Sequence, residues 1–213
     1  MPVKKTSRTK AAKSRRPASK RSGGRGGPIT RLTSKQVQQR LAEVARIGAL
    51  FLEGEDVLNA LMPEARAWTL ADDINFDPAV AVPLKKTLLR IEKIETQFPV
   101  YAIVWRRRPD DAARVEIVLA GRMNSSFDQG KGKCPPMFPA LKRVFDKGQP
   151  AAVAQSNESF EANSSFRYGH VWIVGNDSLL RASKRIISHF EPIRDSREQV
   201  VAALEITCVG TDS

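Results

Sequence analysis

The sequence predicts an α+β domain: an antiparallel sheet preceded by helices and crossed by one short helix, behind a basic N-terminal tail. Three observations predict it. Apolar residues recur at helical spacing between Val37 and Ile91, and from Phe98 onward the apolar period shortens to that of strands. The net charge of +12 is concentrated at one end, because residues 1–31 hold eleven Lys or Arg and no acid, leaving 12 − 11 = +1 for the rest.

The first helix is expected to start after Thr33, which forms a capping-box pattern with Gln36. Val37, Leu41, Val44, Ile47 and Phe51 make its apolar stripe, and Gly54 is expected to end it. A second helical stretch carries Leu58, Leu61 and Met62, with Pro63 at a restart. Asp77 and Pro78 suit the cap and first turn of a third helix bearing Val80, Leu84, Leu88 and Ile91. These helices are expected to share one apolar face.

The strands follow. "PVYAIVWRRR" and "RVEIVLAG" are β-branched and aromatic, separated by the turn-like "PDDAA". "MFPALKRVFDKG" reads as a short amphipathic helix with Leu141, Val144 and Phe145 apolar and Gly148 at its end. "PAAVAQS" suits a short edge strand, and a loop rich in Ser and Asn comes next. "RYGHVWIVG" and "RIISHFEPI" are further strands, and "QVVAALEITC" is the last.

The tail "MPVKKTSRTKAAKSRRPASKRSGGRGGPITR" has too little apolar surface to offset chain entropy, so disorder over 1–31 is expected, with the folded domain at 32–213. Three uses are open to it. Lys4, Lys5, Arg8, Lys10, Lys13, Arg15, Arg16, Lys20, Arg21 and Arg25 suit nonspecific contact with nucleic-acid phosphates. An Arg- and Ser-rich stretch free of acid also fits a transit peptide, and "KSRRPASKR" a nuclear signal. The third use is a solubilising extension. The tail lacks aromatic side chains to stack on bases, which argues against sequence reading.

Catalytic and metal chemistry finds little footing. His170 and His189 are the two histidines, and neither H-E-x-x-H nor G-x-S-x-G frames them. Ser188 and His189 are adjacent, so on a strand they face opposite ways. Asp73, Asn75 and Asp77 imitate a calcium loop, but Pro78 and Leu84 stand where it needs Gly and Glu. "GKGK" at 130–133 lacks a P-loop frame. Two cysteines, Cys134 and Cys208, without paired metal spacing fit a reduced, cytoplasmic setting. The run "IGALFL" falls far short of the ~20 residues a bilayer span needs. No enzyme activity and no cofactor is expected.

The helix "ALKRVFDKGQPAA", then "YGHVW", then "ISHFEPIRDSREQVVAALEI" together resemble the second half of a Cache domain, one of the PAS-like ligand sensors. The resemblance covers about residues 34–208, with its distinguishing motifs in 137–206. Many family members carry Gly in the final hairpin, where this chain has Arg197 and Glu198. The resemblance implies a PAS/Cache-like sheet completed by its last strand, which would lie beside the first at the centre. It also implies a sensory or regulatory module that binds a small molecule or a partner protein and signals through another subunit or a homodimer. The implied pocket lies over one sheet face. Tyr101 and Trp105 share a face with Ile103, Tyr168 and Trp172 approach the same cavity, and Arg107, Arg194 and Asp195 lie at its rim. Trp105 and Trp172 equally suit plain core, and "EPIRDS" a tight turn.

Overall fold

The computed structural model describes residues 32–60, 78–121, 136–156 and 185–210. Helix α1 spans Ser34–Ala49, and the expected capping box starts it. The Gln36 amide donates to the Thr33 hydroxyl at 3.3 Å, and the Thr33 amide donates back to the Gln36 side chain at 2.8 Å. Its buried residues are Leu41, Val44, Ala45 and Gly48. The stripe therefore leaves the expected line at its C-terminal half. Ile47 is 39% exposed and Phe51 64%, because small Ala45 and Gly48 turn inward instead and let the helix approach the sheet.

Gly54 does not end α1. The helix stops at Ala49 and tightens through Leu50 N–H to Ile47, Phe51 to Gly48 and Leu52 to Ala49 bonds of 3.1–3.2 Å. Gly54 opens α2 (Gly54–Asn59). Its glycine is required by close approach, since a Cβ there would lie 2.6 Å from the Arg194 carbonyl oxygen. Helix α2 buries Val57 and leaves Leu58 half-buried. The expected positions Leu61, Met62, Pro63 and Asp77 fall outside the described residues. Helix α3 (Pro78–Ile91) starts on its proline as expected and buries Leu84, Leu88 and Ile91.

Strands β1 (Tyr101–Arg107), β2 (Val115–Ala120), β3 (Ala151–Ser156), β4 (Arg185–Arg194) and β5 (Val200–Gly210) form one sheet in the order β2-β1-β5-β4-β3. Every neighbouring pair is antiparallel. The last strand lies beside the first at the centre, and β3 is an edge, both as expected. Helix α4 (Pro139–Lys147) crosses between β2 and β3 and ends on Gly148, whose φ of +60° is open to glycine without cost. The architecture is an α+β fold, a five-stranded antiparallel sheet with N-terminal helices and one short crossing helix.

The helices sort to opposite faces. Helices α1 to α3 bury Leu41, Leu88 and Ile91 against Ala102, Val104, Leu204 and Ile206. Helix α4 buries Leu141 and Val144, with the adjoining Phe138, against Ile103, Trp105, Phe190 and Ala203. The alternation of β1 and β5 sends consecutive residues to each layer, which is why both strands read as continuous apolar runs.

The β4–β5 hairpin closes through Asp195, whose carboxylate accepts from the Arg197 and Gln199 amides at 3.0 and 2.8 Å. Glu198 sits at φ +60°, in the left-handed region where a glycine would carry no strain. Glu198→Gly is therefore expected to raise unfolding free energy by about 0.5–1 kcal/mol, read as a higher urea midpoint at unchanged slope. A lower midpoint would mean that the Glu198 side chain contributes more than its backbone costs.

Candidate functional site

The α4 side of the sheet carries an unexpected polar seam at its centre. Across β1, β5, β4 and β3, Tyr101, Thr207, Ser188 and Val153 lie side by side. In the next row stand Ile103, Glu205, Phe190 and Ala151. Glu205 and Thr207 are 0% exposed and Ser188 is 1% exposed. A carboxylate and two hydroxyls thus occupy the middle of a layer that is otherwise apolar.

Each polar group has a partner, as burial demands. The Trp105 indole nitrogen donates to Glu205 Oε2 at 2.7 Å, reaching diagonally from β1 to β5. The Ser188 and Thr207 hydroxyls share a hydrogen bond of 2.8 Å, and the Thr207 hydroxyl lies 3.2 Å from the Ile187 carbonyl. Apolar side chains wall the seam on the α4 end. Phe138 stands edge-on to both Trp105, centroids 5.8 Å apart, and Phe190, 5.5 Å apart.

The residues expected to contact a ligand are distributed as follows. Tyr101, Ile103 and Trp105 share the α4 face, as alternation predicts. Tyr101 is half-buried, and Trp105 is 1% exposed among the aromatic walls. Arg107 ties the end of β1 to α4, bonding Asp146 and lying 5.4 Å over the Phe145 ring. Arg194 braces two carbonyls, donating to Glu198 at 2.8 Å and to Gly148 at 3.0 Å. Asp195 is engaged in the hairpin turn described above. Tyr168 and Trp172, the strand expected around them, and the ten tail cations fall outside the described residues.

Glu205, Thr207 and Ser188 were not foreseen as a set. Their signal is present in "AALEITCV", where two polar residues stand two apart on what should be a doubly buried strand. Ser188 and His189 do face opposite ways: Ser188 meets Thr207, whereas the His189 Nε2 meets the Glu191 carboxylate at 3.1 Å. Among the described residues, no group of three or more His, Cys, Asp or Glu side chains is arranged to hold a metal ion. No described helix is long and apolar enough to cross a membrane.

Elsewhere, charge is tied to local contacts. Arg106 and Glu116 form a buried pair between β1 and β2. The Arg108 side chain, hydrogen-bonded to Asp110, holds that carboxyl below its ordinary value. Hydrogen bonds from the Ser196 side chain and backbone do the same for Glu55, tying α2 to the β4–β5 hairpin.

On the opposite sheet face, burial pushes the Cys208 thiol from an ordinary 9.0 up to about 12. The folded chain then keeps a proton that the unfolded chain loses between those values. The contribution is complete below pH 9 and is lost at about 1.4 kcal/mol per pH unit as pH rises towards 12. Between pH 8 and 10.5, the wild type is expected to lose about 2 kcal/mol more unfolding free energy than Cys208→Ala. Parallel loss in the two proteins, followed by urea titration, would contradict this.

No family model matches the chain, and no curated protein matches it. Among the solved structures that match is a crystal structure of the A. aeolicus nlh2 GAF domain in an inactive state. It is 17% identical over 76% of this chain and 83% of that chain, with a TM-score of 0.33. A likeness that slight carries no argument about this chain, and the strand order does not single out the Cache family.

Proposed function

We propose that the chain is a non-catalytic, Cache-like sensory or regulatory domain that binds a small molecule over the α4 face of its sheet. On this reading it works in the cytoplasm and passes its signal through a protein partner or a second copy. The observation that supports it is the buried seam of Glu205, Thr207 and Ser188 on the two adjoining strands β5 and β4. A purely packed layer has no need of these groups, and each must be matched at a cost if it is not to destabilise the fold. Binding sites, in contrast, combine apolar walls with a few fixed polar groups. Trp105, Phe138 and Phe190 supply such walls. Because the seam is shielded from solvent, binding there is coupled to local opening of the face.

The test is the thermal stability of the full chain against a library of amino acids, carboxylates, nucleotides and metal ions. A ligand at a hundred times its dissociation constant should add about 2.7 kcal/mol. A library without a single stabilising compound would leave the seam as a structural network and the domain as a scaffold for a partner.

A further inference from the structure

Helix α4 divides its side chains sharply. Ala140, Leu141 and Val144 are buried, while Lys142, Arg143 and Lys147 are exposed on the outward side. These three cations line a shallow groove of about 540 Å³ together with Met137, Pro139 and Asp146. Asp146, the acid among these lining residues, is bonded by Arg107, so its charge is countered locally. At the C-terminal end of the helix the Arg194 guanidinium sits on the Gly148 carbonyl, and Lys147 occupies the last turn. The negative end of the helix dipole is thus covered by cations and does not repel an anion. Like charges at Arg143 and Lys147, four apart on one helix, are mildly unfavourable to the isolated fold.

We propose that this groove is a structured contact for the phosphate backbone of nucleic acid. The same chain carries eleven cations and no acid in residues 1–31, a charge density suited to a polyanion. A run of cations that long matches the repeating phosphates of a nucleic acid better than the few carboxylates of a short acidic peptide. Among the described residues that line the groove there is no aromatic ring, and the tail sequence has none either, so the contact is with the backbone and independent of base sequence. This surface is on the outer side of α4, away from the seam beneath it, and does not depend on the sensory reading.

The experiment uses the full chain, a labelled mixed-sequence duplex of 20 base pairs, and affinity measured from 50 to 200 mM salt. The comparison is between wild type, the triple variant Lys142→Gln, Arg143→Gln, Lys147→Gln, and a control triple, Lys86→Gln, Arg90→Gln, Lys93→Gln. The control residues are exposed and belong to α3 and the turn after it, on the other side of the sheet. Losing up to three phosphate contacts should make the slope of log affinity against log salt shallower by about 2–3 in the groove variant. The control should keep the wild-type slope, and all three proteins should share one melting temperature.

An unchanged slope in the groove variant overturns the proposal. So does an equal loss in the control, which would make the effect one of net charge. Absence of binding by the wild type at 50 mM salt, or equal affinity for an acidic peptide of matched charge, overturns it as well.

Discussion

Trp105→Ala is expected to lower unfolding free energy by about 3–5 kcal/mol, a large share of the roughly 5–15 kcal/mol that holds a domain together. The side chain is 1% exposed, meets Phe138 edge-on, and supplies the indole N–H held by Glu205. Truncation removes the aromatic surface, leaves a cavity against α4 and deprives a buried carboxylate of a donor. Trp105→Phe narrows these contributions, because it retains a ring against Phe138 while losing the polar bond and the remainder of the indole, at about 1–3 kcal/mol. Denaturant titrations of the two variants read the difference as a shift in midpoint at constant slope. A cost below about 1 kcal/mol for the alanine variant would mean that this face is not packed as described.

Removing the other partner has the second largest expected effect. Glu205→Ala leaves the Trp105 N–H buried without its acceptor and opens space at the centre of β5, costing about 2–4 kcal/mol. Glu205→Gln keeps an acceptor oxygen of the same reach and should cost about 1 kcal/mol or less. The pair is informative because volume is nearly constant in one substitution and lost in the other. Equal destabilisation by both would show that the charge of Glu205, rather than its hydrogen bond, holds the seam together.

Much of the fold was legible because its signals are local. Thr33 and Gln36 specify a helix start by reciprocal hydrogen bonds within four residues, and Gly148 specifies a helix end by its own backbone freedom. The central place of β5 followed from the resemblance of its hairpin to a PAS-like one and from apolar residues on both its sides. Gly54 was misread for the opposite reason. Its absence of a side chain answers to the Arg194 carbonyl, 140 residues away in sequence, and nothing near Gly54 announces that contact. Ile47 and Phe51 were misplaced because a stripe of large apolar residues outweighs Ala45 and Gly48 in any periodicity, although small residues are what close packing on a sheet requires.

The candidate site was less legible than the fold. Alternation placed Tyr101 and Trp105 correctly on one face, but it could not show that Trp105 is held by Glu205 across a strand pair. Arg194 and Asp195 drew attention by their charge, yet their polar atoms are engaged in bracing the turn and the end of α4. A long-range polar network leaves only the faint mark of Glu205 and Thr207 inside an apolar strand.

The sensory reading rests on the seam, and one comparison addresses it: the ligand-induced rise in melting temperature of wild type beside Glu205→Gln and Thr207→Val, with the compound found in the library. If the seam receives the ligand, each variant, compared with its own unliganded melting point, shows a rise corresponding to at least about tenfold weaker affinity, or 1.4 kcal/mol. An equal rise in all three proteins would contradict this, placing the binding site elsewhere on the chain and leaving Glu205, Thr207 and Ser188 as internal struts of the sheet.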